Sequence, residues 1–138
     1  MPSIDTPVRD TTQTDRPAHT ETVPPARWPD ACADFDRAHH GKRVRVLTLP
    51  TKAAARGDTS SAHEVSADLP LAQVAAVAAV PLPNIDIRVS DDGVRTVQRV
   101  ERPKSLALEK DADGTVLGLR IDDADGVTTL LRLRGMAH

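Results

Sequence analysis

From Lys42 onward the apolar residues of this chain fall on alternate positions, a period that suits a half-buried strand and that no helix can use. KRVRVLTL places Val44 and Val46 on one face and Arg43 and Arg45 on the other, and IDIRV places Ile85, Ile87 and Val89 against Asp86 and Arg88. The same alternation runs through HEVSADL, VRTVQRV, SLALE, TVLGLRID and TTLLRLR, with turn chemistry such as Asp91-Asp92-Gly93 between the runs. Residues 51–62 read as a polar loop. Residues 69–80, LPLAQVAAVAAV, are ambiguous: their alanines favour helix, their valines and flanking prolines favour strand, and strand is the preferred reading, paired with HEVSADL before it. The expectation is a mostly antiparallel sheet, or a small β-barrel or roll, of about six strands.

One helix precedes the strands. In RWPDACADFDRAHHG, Trp28, Ala31, Cys32, Phe35 and Ala38 or His39 recur at helical spacing. Pro29 suits the first turn, Asp30 and Asp34 sit toward the positive end of the helix dipole, and Gly41 can close the helix with a positive φ. A short N-terminal helix laid by one apolar stripe on the sheet makes the class α+β. Residues 1–26 are rich in Thr, Pro and charge, and their isolated Ile4, Val8 and Val23 form no periodic face, so they read as a disordered tail. A chain of 138 residues then leaves about 110 for a single small domain over residues 27–138.

Asp-Ala-Asp-Gly occurs at residues 111–114 and again at 123–126. A calcium loop needs oxygen ligands at its first, third and fifth positions and glycine at the sixth, and neither copy offers that spacing. The copies also bracket a strand of about eight residues, which holds them roughly 25 Å apart, too far to share an ion. Both therefore read as turns. A two-residue loop at Asp113-Gly114 pairs Ala112 with Thr115, Leu108 with Leu119 and Leu106 with Ile121, all in phase. The same loop at the second copy would set Leu119 against Arg132, whereas a three-residue loop, Ala124-Asp125-Gly126, pairs Ile121 with Thr129, Leu119 with Leu131 and Leu117 with Leu133. Identical tetrapeptides are thus expected to make different turns.

That register puts Arg120, Arg132 and Arg134 on the face opposite the leucines, and Arg43 and Arg45 lie on the matching face of the first strand of the alternating region. Whether they form one patch depends on whether the first and last strands are neighbours. These five arginines are the candidate partner or anion face. The formal net charge of −2 and the near absence of aromatics, Trp28 and Phe35 apart, disfavour a general nucleic-acid binder. A lone Cys32 rules out an internal disulfide, and Cys32, Asp36, His39 or His40 with remote His63 make a poor metal set beside the simpler reading of a core cysteine and a basic helix end. No phosphate-binding glycine loop, nucleophile elbow or paired acid and base stands out, so no catalytic residue, cofactor or metal is expected. No basic stretch followed by an apolar run of about 7–15 residues opens the chain, so a cytoplasmic protein is expected, with no membrane span.

The motifs W28-P-x-x-x-x-x-F35, G41-K-x-V-x-V, D68-L-P-L71, I85-x-I-x-V89, V100-x-x-P103, L106-x-L-E109 and L119-x-I-x-D-A-D-G126-x-T-x-L-L-R132, in this order, resemble the bacterial domain-of-unknown-function family numbered 5335. The resemblance spans about residues 27 to 134, with a longer polar insert near residues 51 to 62 and a more alanine-rich stretch at 72 to 79. It implies no activity and carries over no functional residue. The reading is a non-enzymatic cytoplasmic interaction module, meeting a protein partner or a second copy through a sheet face or edge. The alternative is a nucleic-acid- or anion-binding small barrel that uses Arg43, Arg45, Arg120, Arg132 and Arg134.

Overall fold

The computed structural model describes residues 19–134. Its strands are β1 (His19–Val23), β2 (Arg43–Pro50), β3 (His63–Val77), β4 (Asn84–Ser90), β5 (Val94–Val100), β6 (Pro103–Lys110), β7 (Val116–Asp123) and β8 (Val127–Leu133). Helix α1 spans Trp28–His39 and a single-turn α2 spans Thr51–Ala55. The strands form one antiparallel sheet in the order β1-β6-β7-β8-β2-β3-β4-β5. The α+β class with one short helix on an antiparallel sheet therefore holds. The expected six strands become eight, and the sheet is open, with β1 and β5 as its edges.

One strand, β1, comes from backbone pairing that side-chain alternation does not announce; the other seven lie in the alternating runs. Residues 19–26, expected to lie in the tail, instead supply β1 and the start of a short turn of 3-10 helix at Pro25–Arg27. β1 runs alongside β6 from His19 opposite Lys110 to Val23 opposite Leu106. Only Val23 of this strand is buried, so main-chain bonds to β6 order it, together with the Trp28 indole, which donates to the Val23 carbonyl at 2.9 Å. The rest of the expected tail, residues 1–18, lies outside the described residues.

Residues 63–77 also correct the reading. They are one strand of 15 residues rather than two strands paired with each other, and the preference for strand over helix holds as far as Val77. The first half of β3 pairs with β2 and the second half with β4. Between the halves the register slips, near Asp68 with its φ of +45°. A long strand that changes partner at a bulge bends the sheet. The curl brings Gln98 of β5 within 3.3 Å of Thr129 Oγ1 on β8.

The concave side of that curl holds the main core. Trp28, Cys32 and Phe35 of α1 pack against Val44, Val46, Leu71, Val74, Ile85, Ile87, Val89, Val100, Leu106, Leu119, Ile121 and Leu131. Trp28 is fully buried. With few aromatics available, the helix is fixed by these large side chains and the sheet surface by branched aliphatics. A smaller apolar cluster, Leu47, Leu49, Leu130 and Ala53, lies on the convex side, where α2 covers it. The expected polar loop at 51–62 therefore contains a helix, because the outward leucines of β2 and β8 need a lid.

The repeated tetrapeptides make the same turn. Asp111 Oδ1 accepts the backbone N–H groups of Asp113 and Thr115 at 2.8 and 3.0 Å, and Asp123 Oδ1 accepts those of Asp125 and Val127 at 2.8 and 3.0 Å. Gly114 and Gly126 have φ of +85° and +86°. The two-residue loop expected at Asp113-Gly114 is thus replaced by a second three-residue loop. The pairs expected in the strand interiors survive, with Leu106 opposite Ile121, Leu108 opposite Leu119, Ile121 opposite Thr129 and Leu119 opposite Leu131, whereas Asp111 rather than Ala112 meets Thr115 and Leu117 is not paired with Leu133. The reconciliation is a bulge: Glu109 faces Gly118 but Lys110 faces Val116, so Leu117 is an extra residue on β7.

Candidate functional site

β2 and β8 are neighbours, with Val44 opposite Leu133 and Arg45 opposite Arg132, so the structure brings the five arginines to one convex face of the sheet. Arg43 and Arg134 stand at its exposed end, where the Arg134 N–H donates to the Arg43 carbonyl at 2.8 Å and Arg43 Nη1 donates to the Asp68 carbonyl at 2.7 Å. Arg45 lies nearer the centre and donates through Nε to Glu64 at 2.7 Å. Arg120 and Arg132 are more enclosed, at 21% and 26% side-chain exposure.

Carboxylates from the same face answer these central arginines, and sequence reasoning missed them. Arg120 donates to Asp122 at 3.1 and 3.4 Å through Nε and Nη2, and Arg132 donates to Glu109 at 3.3 and 3.4 Å. The second pair reaches across an intervening strand, since Glu109 on β6 and Arg132 on β8 both stand opposite Gly118 of β7. A Cβ at Gly118 would lie 2.0 Å from the Leu131 carbonyl oxygen and 3.1 Å from Arg132 Cα, so only glycine permits this close approach. The clue was present in the alternation, because Glu109 and Gly118 share the parity of the outward arginines once the register is set.

Asp122 is the best-connected carboxylate of the face. It accepts from Thr128 Oγ1 at 2.7 Å and Ser105 Oγ at 3.3 Å as well as from Arg120, and Thr51 Oγ1 of α2 lies 3.0 Å from Thr128 Oγ1. Burial works against its charge, yet the hydrogen bonds from Thr128, Arg120 and Ser105 and the guanidinium charge of Arg120 together hold its carboxyl below the ordinary value. Farther along the convex face, Arg99 grips the buried Asp86 more tightly, at 2.7 and 2.9 Å. That pair raises the guanidinium's affinity for its proton, chiefly through the hydrogen bond.

Among the described residues, two surface hollows lie close to these groups. One, of about 330 Å³, lies over β7 and β8 and is lined by His19, Thr20, Glu109, Arg120, Leu130 and Arg132 together with Ala54, Ala55, Gly57 and Thr59 from α2 and the loop after it. The other, of about 460 Å³, is an apolar groove between α1 and β1, β6 and β7, with Val23, Phe35, Ala38, Leu108 and Val116 on its walls. His39 borders this groove against the Phe35 ring, 4.6 Å away, and burial followed by the charge of Lys42 keeps its pKa low.

The remaining reactive groups are occupied structurally. Cys32 is buried in the core, and burial pushes its thiol up to about 11, so it is protonated and a poor nucleophile near neutral pH. The first aspartate of each tetrapeptide caps its turn, as above, and Asp125 binds Arg102 at 2.6 Å. Among the described residues no group of three or more His, Cys, Asp or Glu is placed to hold a metal ion, and no helix is long and apolar enough to cross a membrane. No family model, curated protein or solved structure matches the chain.

Proposed function

We propose that this protein is a non-enzymatic interaction module that meets a protein partner through the convex face of β6, β7, β8 and β2. The observation that carries the reading is the matched charge of that face: Arg45 with Glu64, Arg120 with Asp122, and Arg132 with Glu109. Interleaved charges of both signs complement another protein surface, which offers both, better than the unbroken negative charge of a nucleic-acid backbone. Face recognition is favoured over edge recognition because β1 is short and β5, which carries a bulge near Val97 with Arg95 and Arg99, is poorly suited to accept another strand.

The second reading, an anion- or nucleic-acid-binding face, draws on Arg43 and Arg134, which lie exposed at the end of the same surface. Titration with a labelled single-stranded oligonucleotide across a salt series separates the two. The protein-partner reading expects weak binding that does not depend on Arg120 or Arg132. A phosphate binder would bind tightly at low salt, weaken steeply as salt rises and lose affinity on Arg132→Gln. Placement in family 5335 is likewise our proposal, resting on the order of the motifs, and a cytoplasmic location is part of the same reading.

A further inference from the structure

The two guanidiniums in the convex hollow differ from the others on that face. Arg120 and Arg132 each engage a carboxylate through Nε and Nη2 alone, and three of those four contacts are 3.3 Å or longer. The Arg99–Asp86 contacts, by contrast, are 2.7 and 2.9 Å, the lengths of settled charge-assisted bonds. Both Nη1 groups make no hydrogen bond among the described residues, and both arginines line the same hollow. Across the β7–β8 ladder Arg120 stands opposite Leu130, and Gly118 opposite Arg132, which makes the two arginines diagonal neighbours on one face. An oxyanion in the hollow can take N–H groups from both.

We propose that this hollow binds a small amphoteric carboxylate of amino-acid size. Its volume of about 330 Å³ lies at the small end of the range of about 300–1,000 Å³ typical of ligand sites. Glu109 and Asp122 balance Arg120 and Arg132, so a singly charged carboxylate is accommodated while a dianion meets carboxylate repulsion. Thr20, Thr59 and the Glu109 carboxylate offer acceptors for an ammonium or hydroxyl group, and Ala54, Ala55 and Leu130 form a short apolar wall for a small side chain. Such a ligand is held within one molecule, with or without a protein partner on the surrounding face.

The test is an NMR titration of the full chain, following backbone amides and arginine Nε–H groups, with alanine, valine, acetate and inorganic phosphate as probes. Saturable shifts centred on Arg120, Arg132, Thr20 and Thr59 are expected with alanine or valine, with weaker responses to acetate and phosphate. Arg120→Gln and Arg132→Gln should each weaken binding at least about tenfold, while Arg95→Gln on β5 leaves it unchanged. Ala55→Trp fills the hollow without altering either arginine, and it should abolish the shifts while the melting temperature is retained. Absence of saturable shifts with alanine and valine, tighter binding of phosphate than of either, or binding indifferent to Arg120→Gln, Arg132→Gln and Ala55→Trp would overturn the proposal.

Discussion

The two faces of the sheet are built on opposite rules. The concave face joins all eight strands and α1 into one continuous apolar core, in which Trp28, Ile85, Ile87, Leu106, Leu119, Ile121 and Leu131 are 0% exposed. Among the described residues the convex face carries a smaller apolar cluster under α2 and several arginine–carboxylate pairs, two of which border a hollow. A large non-directional burial term stabilises the first face, whereas pairs of modest net worth specify the second. If the convex face is the recognition surface, as proposed, stability and recognition are separable in this fold, and substitutions should sort by face.

The largest expected effect lies on the concave side. Phe35→Ala removes a buried aromatic anchor of α1 and should cost about 3–5 kcal/mol in chemical denaturation. A loss below about 1 kcal/mol would mean that α1 is dispensable and that the core does not run through it. Gly118→Ala comes next, because the new Cβ meets the Leu131 carbonyl oxygen, which is backbone and cannot swing aside. It should destabilise by about 1–3 kcal/mol and displace Arg132 from Glu109. Unchanged stability with an intact Arg132 signal would show that the bulge at Leu117 is not as described.

The turns give a smaller, paired effect. Gly114→Ala and Gly126→Ala place a Cβ at φ near +85° and should each cost about 1–2 kcal/mol. Because both turns are alike, the two losses should agree closely, and a large inequality would restore two different turns. On the convex face, Arg45→Ala should change stability by less than about 1 kcal/mol, since Arg45 and Glu64 are both about 40% exposed. Arg132→Ala should exceed it, at about 1–3 kcal/mol, because it leaves Glu109, only 5% exposed, without its partner. Equal losses at the two sites would contradict the difference in enclosure.

Side-chain parity made much of this legible in advance. Alternation, with loop lengths chosen to keep the leucines in phase, gave the interior register of β6, β7 and β8, and with it which side of each strand carries leucine and which arginine. Helix α1 was legible from Trp28, Cys32 and Phe35 at helical spacing. Three of the misses share a cause, since each is decided by the backbone. β1 contains one buried side chain and is ordered by its ladder to β6. The bulge at Leu117 shifts the loop by one residue while leaving the leucine pairs intact, so no apolar pattern reveals it. The bend in β3 near Asp68 likewise looks, residue by residue, like the end of one strand and the start of another. As for the candidate site, the arginines were visible, but Glu109 and Asp122 emerged only when β6, β7, β8 and β2 were set side by side.

Site-specific photo-crosslinking in the source cells tests the functional division of the faces most directly. A benzophenone side chain would replace Thr59, which borders the convex hollow, or Ala33, which is exposed on α1. The account predicts a discrete protease-sensitive adduct from position 59 and none from position 33. An adduct from position 33 alone, or one from position 59 that disappears on nuclease treatment, would contradict it.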